Sequence, residues 1–265
     1  MGGTNAGCGR SQSMVASPAP AGLSYAAMTE AEVRARIAAV PRWYHPIEVR
    51  PGIVTPGANE AGAVLRALEL PADCRGMRAL DLGTRDGYFA FELERRGAEV
   101  VAVDYLPKTE SGFAVAADLL GSRVTYLHRN LYELTAAELG TFDLVLFLGL
   151  LYHLPDPLGA LRVVRNLTAK RMYLETLVMD FGGAMDELPL MRFFAGASWA
   201  GDPTNYWGPN VRCVEEMLAE TEFTSRLVMR SGDRATFACE ATSSPEAAYY
   251  LQIATGRRER ERTGS

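Results

Sequence analysis

ALDLGTRDGYFAFELERRGAEVVAVD, residues 79–104, is the stretch that decides the fold. Leu80 and Leu82 flank Asp81 in a short apolar run that reads as a buried strand. Gly83 and Gly87 bracket a tight turn. Phe89, Ala90 and Leu93 then give the next segment one apolar helical face, and Val100, Val101 and Val103 form a second strand ending at Asp104. A chain reversal at Gly83 points backbone N–H groups and a helix N-terminus at a ligand. An acid at the tip of the second strand can accept hydrogen bonds from ribose hydroxyls. The stretch predicts a nucleoside-binding half of a doubly wound α/β domain.

The elements on either side extend the pattern. Strands are predicted at 78–82, 99–103, 123–127, 142–148, 171–175, 224–230 and 235–241, and helices at 87–96, 111–120, 156–168 and 211–221, with Asn210 as N-cap of the last. The first five strands alternate with helices and should run parallel. Ser231-Gly232-Asp233 is a hairpin signal that turns one strand antiparallel. The expected fold class is therefore α/β, a seven-stranded, mostly parallel, doubly wound (Rossmann-like) sheet with one antiparallel strand.

Four domain-level segments are expected. Residues 1–27, rich in Gly, Ser, Ala and Pro, read as a disordered leader. Residues 28–57 form an N-terminal lid: Thr29 and Glu32 make a capping box for a helix presenting Val33, Ile37 and Val40, and an aromatic, proline-punctuated loop with short extended pieces follows. The ligand-binding domain spans 58–250, with an insertion at 180–210, and 251–265 is a charged tail.

Composition narrows the function. A chain of 265 residues with 48% hydrophobic and 22% charged side chains builds a large soluble core. Its longest apolar run, Leu144 to Tyr152, is too short for a bilayer, so no membrane partner is expected. Cys8, Cys74, Cys213 and Cys239 lack metal or disulfide spacing, and His45, His128 and His153 form no cluster. A cytoplasmic, reduced, metal-free protein is the expectation. A net charge of −5 provides no global field for polyanions, which disfavours nucleic acid against a small molecule.

A dinucleotide loop needs G-x-G-x-x-G, and Gly83, Arg85 and Tyr88 occupy those slots, so two of the three glycines are missing. Asp81-Leu82-Gly83-Thr84-Arg85-Asp86-Gly87 resembles instead motif I of class I S-adenosylmethionine (SAM) methyltransferases, with Arg85 replacing the middle glycine. The resemblance implies SAM as cofactor. It implies a donor site made of Asp81, Gly83, Thr84, Arg85, Asp86 and Gly87, with Asp104 and Tyr105 after the second strand, Asn130 and Leu131 against the adenine, and Leu148 and Gly149 receiving the ammonium. FDLVLFLGLLYHLPDPLGAL (142–161), LETLVMD (174–180) and NYWGPN (205–210) are similar, more narrowly, to segments of bacterial wobble-uridine tRNA alkyltransferases and their shorter relatives.

The catalytic candidates follow strands four and five. His153 suits general-base work near neutral pH. Glu175 can hold an acceptor hydroxyl or amine, and Tyr152 can wall the pocket or hydrogen-bond. His153 and Glu175 also have purely structural readings: a capping or packing histidine and a carboxylate holding backbone N–H groups. The expected function is methyl transfer by in-line displacement to a small-molecule acceptor, a secondary metabolite or sugar methylated at O or N. Wobble-uridine tRNA modification and non-catalytic SAM or nucleoside binding are the alternatives, and the oligomeric state is left open.

Overall fold

The computed structural model describes residues 28–242, so the leader, the tail and residues 243–250 lie outside the described residues. The chain opens with α1 (Glu30–Ala38), capped by the expected Thr29/Glu32 box and burying Val33 and Ile37. The segment read as a loop with short extended pieces contains an antiparallel hairpin, β1 (Glu48–Arg50) and β2 (Ile53–Val54), and the short α2 (Gly62–Ala67) precedes the main sheet.

The doubly wound core then runs β3 (Arg78–Leu82), α3 (Tyr88–Arg95), β4 (Glu99–Asp104), α4 (Phe113–Leu120), β5 (Thr125–His128), α5 (Ala136–Leu139), β6 (Phe142–Leu148), α6 (Pro157–Leu167) and β7 (Thr168–Leu177). A small antiparallel pair, β8 (Met191–Phe193) and β9 (Trp207–Pro209), lies within the 180–210 insertion. The chain closes with α7 (Val211–Glu220), β10 (Phe223–Ser231) and β11 (Arg234–Ala241).

Seven strands form one sheet in the order β10-β11-β7-β6-β3-β4-β5. β5, β4, β3, β6 and β7 are mutually parallel, and β11 runs antiparallel to both β7 and β10. This is the expected architecture. From β3 the chain winds one way to β4 and β5, then crosses to β6 on the opposite side. That switch opens a crevice beyond the carboxyl ends of β3 and β6.

Helices cover both faces. On one, α6 buries Pro157, Ala160, Leu161, Val164 and Leu167, spaced at three or four residues, together with Val214, Met217 and Leu218 of α7. Each such leucine or valine contributes about 1.5–3 kcal/mol by leaving water. On the other, Phe89, Ala90 and Leu93 of α3 share a core with Val33, Ile37, Trp43, Ile47 and Val49. Residues 28–57 are thus continuous with the body of the domain. Asp156 caps α6 by accepting from the Gly159 N–H at 2.8 Å, and Asn210 caps α7 by accepting from the Cys213 N–H at 2.8 Å, as its sequence position predicts.

β7 differs from expectation at its start. It begins at Thr168, with no intervening loop after α6. The Thr168 hydroxyl closes the helix by donating to the Val164 carbonyl at 2.8 Å while its backbone enters the sheet.

Candidate active site

The turn after β3 is built for close approach. Gly83, Arg85 and Gly87 have φ of +73°, +51° and +91°. At Gly87, which opens α3, a Cβ would lie 2.5 Å from the Phe91 ring and 2.8 Å from Phe113, so only glycine fits the position. A non-glycine residue at the φ of Arg85 carries strain of order 1–3 kcal/mol. The Gly83 N–H donates to the Val103 carbonyl at 2.9 Å, which ties the turn to β4.

Asp104 ends β4 against this turn and is 3% exposed. Its Oδ2 accepts from the Arg85 N–H at 2.9 Å and its Oδ1 from the Leu106 N–H at 3.0 Å. Each carboxylate oxygen offers two lone pairs, so each keeps capacity for a further donor. Asp81 is buried in β3 and accepts from the Thr84 hydroxyl at 2.7 Å. Loss of hydration pushes its carboxyl up to about 7, the Thr84 bond opposing this and the Asp104 charge adding to it.

Asp86 faces elsewhere. Its Oδ2 accepts from the backbone N–H groups of Tyr44 and, at 3.1 Å, His45, and its Oδ1 from the Gly112 N–H at 3.0 Å. It therefore anchors the N-terminal segment to the turn. His45 is buried between Tyr44, Tyr88 and Phe89, and desolvation lowers its pKa to about 4, so the ring is neutral.

Beyond β4, Tyr105 is 64% exposed at the crevice. Asn130 caps a 3-10 turn through its side-chain oxygen, which accepts from the Tyr132 N–H at 3.0 Å, and the Leu131 side chain is in the core. After β6, Leu148 is half-buried and the Gly149 N–H donates to the Glu175 carbonyl at 2.8 Å.

Glu175 is buried on β7, where Arg234, the first residue of β11, grips it through Nε at 2.5 Å and Nη2 at 2.6 Å. The carboxylate is thus held by a guanidinium, neither open to an acceptor nor bonded to backbone N–H groups. The Tyr152 ring covers the same guanidinium at 4.6 Å. A side chain at Gly149 would touch both members of the ion pair. Burial works against the Arg234 charge, and the Glu175 bonds outweigh it, holding the group above its ordinary range.

His153 stands ring to ring with Tyr152, centroids 4.1 Å apart. Its Nδ1 meets the Thr204 hydroxyl at 2.9 Å and the Thr204 carbonyl at 3.1 Å, and that hydroxyl donates to Asp202 at 2.7 Å. Desolvation lowers the His153 pKa, with the Thr204 backbone bond opposing. The neutral ring can receive a proton. The insertion is pinned to the same loop, the Tyr206 N–H donating to the Tyr152 carbonyl at 2.9 Å and Trp207 Nε1 to the Pro155 carbonyl at 3.3 Å.

Sequence reasoning missed Arg234, and with it the role of Glu175. The available signal was the hairpin at 231–233, which places the start of β11 beside the end of β7. It also missed Thr204 and Asp202, which lie 51 and 49 residues beyond His153 with no periodic pattern to mark them. Among the described residues no group of three or more His, Cys, Asp or Glu side chains is arranged to hold a metal, and no helix is long and apolar enough to cross a membrane.

A sheet with this strand order, its glycine turn and terminal acid at the switch point, defines a class I methyltransferase architecture. A model of the methyltransferase-domain family matches residues 60–201, and the chain belongs to that family. It is similar to the ubiquinone biosynthesis O-methyltransferase of Xanthomonas axonopodis pv. citri (strain 306), with 31% identity over 104 residues, 38% of this chain and 44% of that protein. The chain thus covers less than half the length of the curated relatives it matches. Two solved structures share its fold. The N-terminal domain of EvdMO1 with SAH bound has a TM-score of 0.61 at 18% identity, covering 82% of this chain and 98% of that one. The Burkholderia thailandensis 1,6-didemethyltoxoflavin-N1-methyltransferase, with bound 1,6-didemethyltoxoflavin and S-adenosylhomocysteine, has a TM-score of 0.52 at 21% identity, covering 85% of this chain and 94% of that one.

Proposed function

We propose that the chain is a SAM-dependent methyltransferase acting on a small-molecule acceptor. The observation that carries this reading is Asp104. Its buried carboxylate stands at the tip of β4 beside the glycine turn, fixed by two backbone N–H groups and retaining lone pairs for two ribose hydroxyls. The Gly83–Gly87 backbone would line the methionine end and the carbonyls of Leu148 and Gly149 would receive the ammonium. Tyr105 is the exposed ring available to the adenine, and Leu131 contributes only the shape of the wall. Asp81 and Thr84 support the turn from beneath, and Asp86 supports it from the N-terminal side.

When bound, SAM supplies a methyl group on a sulfonium, and the protein's task is to align the acceptor with it. Tyr152, fixed by Arg234, walls that path. His153, neutral and oriented through Nδ1 by Thr204, takes a proton from an acceptor hydroxyl or amine. The 180–210 insertion, docked on the Tyr152–His153 loop, closes the acceptor side.

Calorimetry with SAM, S-adenosylhomocysteine and NAD tests the donor. Micromolar binding of the first two and none of the third is expected, and failure of both to bind refutes the reading. The LYHLPDP and LETLVMD blocks, both at the ligand edge, favour wobble-uridine tRNA as a second reading. It predicts salt-sensitive retention of bulk tRNA in a gel shift.

A further inference from the structure

Arg85 is a half-buried cation in the crevice with no carboxylate partner among the described residues. Half-buried Arg36, Arg78, Arg96, Arg165, Arg171 and Arg234, by contrast, each reach a carboxylate. Arg85 has only the face of Tyr44, 5.5 Å from its guanidinium carbon to the ring centroid. The nearby acids bond to other groups: Asp104 to two backbone N–H groups, Asp86 to three, and Asp81 to the Thr84 hydroxyl.

Backbone and side chain of Arg85 make separate contacts. Its N–H fixes Asp104 on the donor side, and its carbonyl accepts from the Ser111 hydroxyl at 2.8 Å. The guanidinium lies over a tyrosine of the N-terminal segment that is 37% exposed. Its field reaches the rings of His153, His45 and Tyr126, and Tyr44 in turn lies close enough to Tyr152 to help burial raise that phenol. Around this group His45 and His153 are neutral, and Arg234 is cancelled by Glu175. Among the described residues the Arg85 guanidinium is thus a cation held in no ion pair, within electrostatic reach of the Tyr152–His153 loop. A planar fork of N–H donors above an aromatic ring matches the two oxygens of a carboxylate.

We propose that Arg85 recognises a carboxylate carried by the acceptor, so that the acceptor class is a small organic acid. The inference rests on the methyltransferase reading, and the test separates the two. Binding of S-adenosylhomocysteine to the wild type is measured first; its failure overturns the methyltransferase reading and this inference with it. The saturated complex is then titrated with aromatic, aliphatic and sugar acids, each paired with its neutral amide. At least one acid should bind about tenfold or more tighter than its amide, the scale of a charge-assisted hydrogen-bond pair, and Arg85→Gln should abolish that preference while Arg85→Lys keeps part of it. The proposal is overturned if no acid outcompetes its amide or if the preference survives in R85Q. It is equally overturned if R85Q weakens S-adenosylhomocysteine tenfold and leaves the acid preference unchanged, which would assign the guanidinium to the donor's own carboxylate.

Discussion

Replacing Arg234 with methionine should lower the unfolding free energy by about 2–4 kcal/mol, and adding Glu175→Gln should restore most of that loss. The magnitude follows from geometry. Glu175 is 6% exposed and receives two guanidinium bonds at 2.5 and 2.6 Å. Methionine keeps the apolar stem against Tyr152 but leaves a desolvated carboxylate without a partner. Breaking a fully buried pair costs about 3–5 kcal/mol. Arg234 retains 30% of its side-chain exposure, and water reaching that side lowers the expected cost. In a chain of this size the loss corresponds to a melting shift of roughly 4–8 °C. Urea titration of the wild type, R234M, E175Q and R234M/E175Q completes a double-mutant cycle. The reasoning fails if R234M lies within about 0.5 kcal/mol of the wild type, the ordinary effect of a surface change, or if the two substitutions are additive.

Asp104→Asn should weaken S-adenosylhomocysteine by about 1–3 kcal/mol, read by calorimetry; unchanged affinity would remove Asp104 from the donor site. The raised Asp81 carboxyl makes stability pH-dependent. Because the folded-state pKa of about 7 exceeds the unfolded value, this group's contribution is complete below about pH 4 and is lost as pH rises towards 7. Relative to Asp81→Asn, the wild type should lose about 2–4 kcal/mol across that window, and parallel stability curves for the two proteins would contradict the burial argument. His153→Gln should cut methyl transfer about 100-fold or more while S-adenosylhomocysteine still binds, and undiminished turnover would leave the imidazole a packing group. Gly87→Ala should destabilise the fold by about 1–3 kcal/mol through overpacking against Phe91 and Phe113; a neutral result would mean the turn can shift.

The parallel sheet was legible because buried strands and amphipathic helices announce themselves by local period. Residues 79–104 show both periods within one βαβ unit, and Asn210 and Thr29 announce helix starts by side-chain chemistry alone. The insertion was not legible. β8 and β9 are three residues each and pair across a gap in which no alternation develops. Asp104 at the tip of β4 and Glu175 near the end of β7, which runs two residues beyond its expected end at 175, could be placed from topology, but their partners could not. Glu175 reads as an open carboxylate until β11 is laid against β7, and Asp86 reads as part of a ligand loop until Tyr44 and His45 arrive from 42 and 41 residues upstream.

The reversal of β11 has a consequence for how this domain can vary. Every parallel strand offers the crevice its last residues, and long loops can be exchanged beyond them without disturbing the sheet. β11 offers its first residue, two positions after the glycine of a tight hairpin, so Arg234 is held by the sheet's own register. A one-residue slip there would turn its side chain to the opposite face and release Glu175. One wall of the crevice is therefore tied to the integrity of the sheet.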